Sequence, residues 1–278
     1  MMIKGIFNRS MLIGLILIGA VVFLALAAPW LAPHDPQKTN FDQRLLSPSS
    51  EYPFGTDHLG RCILSRVLFA ARISLFIGAS VIAISFIAGT LIGSVSAYAG
   101  GIVDETVMRF VDGFLAFPSM FIALAIAGIF GGNMTGLIIA LSIVEWTAYA
   151  RVSRGSVLAV KNMDYIAVSR MMGGRAPYIL RHHILPNITS PLLVISTLGM
   201  GNVILGAAGL SFLGLGVSSA PEWGMMINEG RLFLQSAPHI MFFPGIFIVI
   251  TVLGFNFLGD GLRDIFDPRD TKQRWRLF

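Results

Sequence analysis

The stretch RVSRGSVLAVKNMDYIAVSRMMGGRAPYILRHHILPN, Arg151 to Asn187, decides the fold. It carries Arg151, Arg154, Lys161, Arg170, Arg175 and Arg181 against one acid, Asp164, and lies between apolar blocks that hold hardly any charge. Lys and Arg accumulate in the cytoplasmic loops of membrane proteins, so the stretch reads as such a loop. It is also more regular than a bare connector. Tyr165, Val168, Met171 and Met172 recur at helical spacing, and Gly173, Gly174 and Pro177 then predict a break. The expectation is a short helix on the inner face of a membrane, open to a soluble partner.

Composition points the same way. Hydrophobic residues make up 55% of the chain and charged residues 13%, against roughly 45–50% and about 25% in soluble domains, so this is an integral membrane protein. Its apolar runs are continuous and lack the alternation of a transmembrane β-barrel. The fold class is therefore all-α: one polytopic transmembrane helical bundle of about six spans over residues 1–278, with a cytoplasmic helix in its central loop. A single cysteine, Cys62, rules out an internal disulfide and any CxxC motif. The net charge of +5 follows from topology, and membrane lipid, not nucleic acid, is the expected surroundings.

Outward from the loop, spans are predicted near residues 11–31, 73–99, 114–131, 134–150, 188–212 and 240–258, with the cytoplasmic loop at 151–187. The first run, Met11 to Leu31, is longer than the apolar core of a cleaved signal peptide, about 7–15 residues, and is read as a retained helix. Taking it as a signal leaves five spans and changes nothing else. Pro33 to Arg72 reads as an external loop with a short amphipathic helix near Arg61 to Ala71. Gly89, Gly93 and Ala97, four residues apart, predict close helix packing. Asp104 to Asp112 reads as a charged turn, and Gly131-Gly132-Asn133 as a divider between two helices. With six spans and both termini cytoplasmic, fourteen of the 20 Lys and Arg fall on the inner side, which satisfies the positive-inside rule.

No GxxxxGK[ST] phosphate loop is present, because none of the four lysines follows a glycine, and HExxH and GxSxG are absent as well. The chain is not expected to be an enzyme.

At this point the residues carry a resemblance. Gly173, with Leu185-Pro186 twelve and thirteen residues on, is similar to the EAA loop of permease subunits in bacterial ABC importers, with Ala167-Val168-Ser169 where the motif has Glu-Ala-Ala. Three further stretches resemble the C-type permease subunit of the dipeptide, oligopeptide and nickel branch. They are Gly55-Thr56-Asp57-His58-Leu59-Gly60-Arg61 continuing through Ser65-Arg66 to Leu75, Gly209 to Gly216 with Pro221-Glu222-Trp223-Gly224, and Asn256 with Gly259-Asp260 to Asp267-Pro268-Arg269. Cys62 stands where an Asp is usual in the first of them.

The resemblance implies a subunit of the bacterial cytoplasmic (inner) membrane that pairs with a second permease subunit. It also implies two cytoplasmic ATPase subunits, which use the ATP, and an external substrate-binding protein. No cofactor is expected on this chain. The coupling helix it implies involves Tyr165, Ala167, Ser169, Arg170, Met171, Gly173, Arg175, Leu185 and Pro186. A self-sufficient channel or secondary carrier is the alternative, and an intramembrane enzyme a distant third.

Glu145 is the one acid placed inside the hydrocarbon layer, within a turn or two of its inner edge. Such residues face a cavity or a partner, so Glu145 and Trp146 are candidates for the substrate path. A protonated Glu, or pairing with Arg151 or Arg154, are the other readings. His182 and His183 read as loop residues. His34, His58 and His239 fall in external segments, where they could meet a metal complex. The short arm before Met11 is more like the nickel branch, so nickel or a metal chelate is the expected cargo and a di- or oligopeptide the alternative.

Overall fold

A computed structural model describes residues 8–266. Lys4 and the tail from Asp267, including Pro268, Arg269, Lys272, Arg274 and Arg276, lie outside the described residues, as do both extreme termini. Among the described residues there is no strand, only an isolated bridge between Thr56 and Cys62. Five helical segments are long and apolar enough to cross a membrane. These are α1 (Arg9–Leu31), α2 (Ile63–Ala99), α5 (Met134–Val160), a run through Ala176–Leu215, and α10 (His239–Phe266). The Ala176–Leu215 run contains α7 (Ala176–Ile179), a π-helical turn (Leu180–Ile184) and α8 (Leu185–Leu210). A sixth crossing is available if α3 (Gly101–Ala116) and α4 (Ser119–Phe130) count as one, although they meet at 89°. The short helices α6 (Asp164–Met171) and α9 (Trp223–Gly230) complete the chain.

Small residues hold the bundle together. A Cβ on Gly93 would lie 2.2 Å from the Ala150 carbonyl oxygen, and one on Gly89 2.4 Å from that of Trp146, so α2 and α5 touch backbone to backbone. Apolar burial drives helices together weakly in lipid, where tails are as apolar as leucine; close van der Waals approach and polar contacts do more. Both are present here. Ser94 and Ser153 share a 2.7 Å hydrogen bond, and Ser153 lies 3.2 Å from the Thr90 carbonyl. Gly14 packs in the same manner on Gly254 and Leu258 of α10.

Several expected boundaries differ from the structure. The external helix near 61–71 and the span at 73–99 are one helix, α2, because no breaker separates them and polar residues alone do not end a helix. Asp104 to Asp112 is helical, not a turn: Asp104 and Asp112 pair with Arg154 and Arg151, and Glu105 with Arg109 one turn on. The span near 114–131 is broken at Phe117-Pro118. The proline ring forces the residue before it into extended backbone, and Phe117 has ψ 145°. Beyond the break, α4 has only 12 residues, about 18 Å of rise. The span at 134–150 continues to Val160, and helix resumes at Ala176, so the loop at 151–187 is mostly helical and only 161–163 and 172–175 are not. Pro177 opens a helix, in the first turn where its missing donor costs least, and His182 and His183 lie within the helical run.

Candidate functional site

Three regions carry candidate functional side chains. The first is the segment between α5 and α8. Helix α6 begins with Asp164 and has Arg170 in its last turn, each charge complementing the helix dipole at its end. It stops by a Schellman motif: the Gly174 N–H donates to the Ser169 carbonyl at 2.9 Å and the Gly173 N–H to that of Arg170 at 3.0 Å. Gly173 has φ +85°, a left-handed conformation that costs a side-chain-bearing residue free energy. Ile166 is fully buried and anchors the helix, while Val168, Met171 and Met172 are 53%, 87% and 84% exposed.

The structure brings most of the expected coupling residues onto this one face. Tyr165 is exposed, with its ring 6.4 Å from that of His183, and Ala167 and Arg175 are also exposed. Leu185 and Pro186 stand apart, at the start of α8. Arg170 turns toward the bundle, its guanidinium 5.2 Å over the Tyr98 ring at the end of α2. Lys161 donates to the Ala97 carbonyl at 2.9 Å, capping the same helix end. Tyr98 and Ala97 thus receive α6 and the residues just before it; the small-residue spacing had marked Ala97 for packing, and no sequence signal marked Tyr98.

The second region is the middle of α5. Glu145 lies eleven residues from one end of this helix and fifteen from the other. It is half-buried. The expected pairing with Arg151 or Arg154 is overturned, because Arg151 donates to Asp112 at 2.5 Å and Arg154 grips both oxygens of Asp104 at 2.8 Å and 3.0 Å. Trp146 is half-buried and stands edge-on to Phe114, 6.1 Å between ring centres.

The third region is at the opposite end of α2, and the sequence marked only part of it. Asp57 and Glu229 each contact both Arg61 and Arg66, so the four side chains close an alternating ring that clamps the Gly55–Arg61 loop and α2 to α9. Burial alone would raise the Asp57 carboxyl, but Arg66, Arg61 and the backbone N–H groups of Arg61 and Leu59 outweigh it and hold it below the usual aspartate range. A cleft of about 210 Å³ adjoins the ring, lined by Gln37, Ser218, Ser219 and Pro221 among others. Ligand atoms of Asp57, His58 and Glu229 lie within 4.8 Å of one another. Both carboxylates already serve guanidiniums, whose positive charge repels a cation, so the group fits an ion-pair clamp better than a metal site. The external histidines do not converge. His34 stacks on Tyr52, His58 on Phe233, and His239 lies 3.3 Å from the Thr56 carbonyl.

Several apolar spans, a broken sixth and an exposed short helix between two of them define a class, the polytopic helical membrane protein. Residues 89–272 match the family described as binding-protein-dependent transport system inner membrane component, and residues 7–48 match the N-terminal transmembrane domain of oligopeptide transport permease C. The chain belongs to this permease family.

It is 41% identical to the dipeptide transport system permease protein DppC of Alkalihalophilus pseudofirmus over 94% of this chain and 86% of that one. It is 38% identical to the nickel transport system permease protein NikC of Escherichia coli, covering 93% and 94%. With the glutathione transport system permease protein GsiD of Pectobacterium atrosepticum it shares 40% identity, covering 90% and 83%. A chain of the methionine ABC transporter MetNI, in inward-facing conformations, superposes with a TM-score of 0.54 at 19% identity over 70% of this chain and 95% of that one, a likeness of fold.

Proposed function

We propose that this chain is one of two permease subunits of an ABC importer, forms half of its translocation path, and receives the ATPase subunits on α6. The observation that carries the reading is the exposure of Met171 and Met172 at the end of a helix seated on α2 by Arg170 and Lys161. Two large apolar side chains left in water on an otherwise anchored helix favour a protein partner, and methionine repacks readily against one. An external binding protein delivers the cargo. The permease relatives support an importer over a self-sufficient channel, and a short peptide is the cargo proposed. Nickel is the second reading, favoured by the likeness to NikC.

Replacing both Met171 and Met172 by Asp tests the docking face. The ATPase subunits should no longer co-purify and ATP-driven uptake should stop, while the permease pair keeps its melting temperature. Retained ATPase subunits with normal uptake would remove α6 as the docking face.

A further inference from the structure

Glu145 lies about 17 Å and 22 Å along α5 from its two ends, in a helix long and apolar enough to cross a membrane. A charge held there faces a cavity or a partner. Yet Glu145 has no hydrogen bond or ion pair among the described residues, and the two arginines nearest along its helix are held by Asp112 and Asp104. Ser142, Glu145 and Tyr149 stand at i, i+3 and i+7 on one face of α5, where neighbouring Cβ atoms are about 5–6 Å apart. The Ser142 hydroxyl is buried and lacks a partner, and the buried Tyr149 hydroxyl has Ser196 of α8 as its hydrogen-bonding neighbour. The stripe faces α8, since a Cβ on Gly199 would come within 3.2 Å of the Tyr149 oxygen. Three neighbouring polar groups on one face of a span, the carboxylate among them without an ion pair or hydrogen bond among the described residues, form an incomplete site.

The geometry points to a binding site in which the Glu145 carboxylate, flanked by the Ser142 and Tyr149 hydroxyls, receives a primary ammonium group of the cargo, the free amino terminus of a peptide. The inference rests on the permease reading above. An ammonium carries one positive charge and three donors, and one carboxylate with neutral oxygens matches it in charge and in number. An α-amino group, with a pKa of about 7.7–8.0, is mostly charged at neutral pH. A nickel ion carries two charges and prefers imidazole and nitrogen-rich ligand sets, and this stripe offers a single carboxylate and no imidazole. The arrangement therefore decides between the two cargo readings in favour of the peptide.

The test uses the complete transporter in proteoliposomes, driven by ATP and supplied with saturating binding protein loaded with a labelled dipeptide or with labelled nickel. Saturation removes the binding protein's own selectivity from the comparison. In the wild-type complex the dipeptide should enter. Glu145→Gln should lower its maximal rate about tenfold or more, as expected when one member of a buried charge pair is truncated, while Glu145→Asp keeps most of it and Tyr149→Phe loses less than Glu145→Gln. Dipeptide uptake by Glu145→Gln within twofold of wild type would overturn the site and leave the permease reading standing. A Glu145→Gln chain that no longer holds the second permease subunit would assign the carboxylate to a cation of that subunit and overturn the site too. Uptake of nickel and not of dipeptide by the wild type would overturn the ammonium assignment, and uptake of neither would overturn the importer reading with it.

Discussion

Asp57 is 2% exposed and faces two guanidiniums. Removing one member of a buried ion pair leaves the other charge uncompensated and costs about 3–5 kcal/mol. Asp57→Asn should therefore lower the melting temperature of the detergent-solubilised protein by several degrees. The pH dependence follows from linkage. The folded carboxyl titrates below its unfolded value, so its stabilising contribution is complete above the ordinary aspartate pKa and is lost as pH falls through the lower folded one. Thermal unfolding between pH 7 and pH 3 should show the wild type losing stability only at the acid end, and Asp57→Asn losing less there. A wild-type curve that falls near pH 6 would contradict this assignment. Asp57, Arg61 and Arg66 stood out in the sequence as a resemblance, but Glu229, the second partner of both arginines, is 168 residues beyond Arg61 and nothing local announces it.

Among the elements, α2 and α5 depend on glycine at the positions where their backbones touch. Gly93→Leu would put a side chain into the Ala150 carbonyl. Overpacking of this kind costs about 1–3 kcal/mol, and Gly93→Leu should lower the yield of folded protein and its melting temperature, whereas Gly155→Leu, where nothing lies within 4 Å, should change neither. Equal behaviour of the two variants would mean that this contact is not needed. The spacing of Gly89, Gly93 and Ala97 showed which face of α2 packs closely. It did not show against what.

Helix α3 illustrates the opposite case. Its acids resemble a turn when read alone, because the arginines that neutralise them lie on α5, 39 and 50 residues away. The same ion pairs explain why Glu145 is left unpaired, which charge counting along α5 could not reveal.

At the scale of the whole molecule, the proposed orientation has the loop before α2 outside and α6 inside. Cys62 is 2% exposed and should stay unlabelled in the folded protein, so single cysteines can report topology. Ser50→Cys should react with a membrane-impermeant maleimide added to intact cells, and Met171→Cys only after the membrane is opened. Reaction of both from the same side would overturn the orientation. That the chain is a bundle of five or six apolar helices was legible because continuous apolar runs are a strong signal. The bend between α3 and α4 is written locally at Phe117-Pro118 and was not read as one, and the clamp was not legible because Glu229 lies 168 residues from Arg61.

The π-helical turn Leu180–Ile184 joins α7 to α8, and the Leu185 N–H reaches back five residues to the Leu180 carbonyl. A turn closed over five residues in place of four stores one residue of slack. Removing a single residue there would leave an ordinary α turn and keep α8 in phase. Removing one inside α8 would rotate everything beyond it by about 100°, carrying Gly199 away from Tyr149 and Gly206 from Leu141. Chain length can therefore drift at this one junction while the angular setting of the span stays fixed, and a family built on this plan would place its single-residue insertions and deletions here.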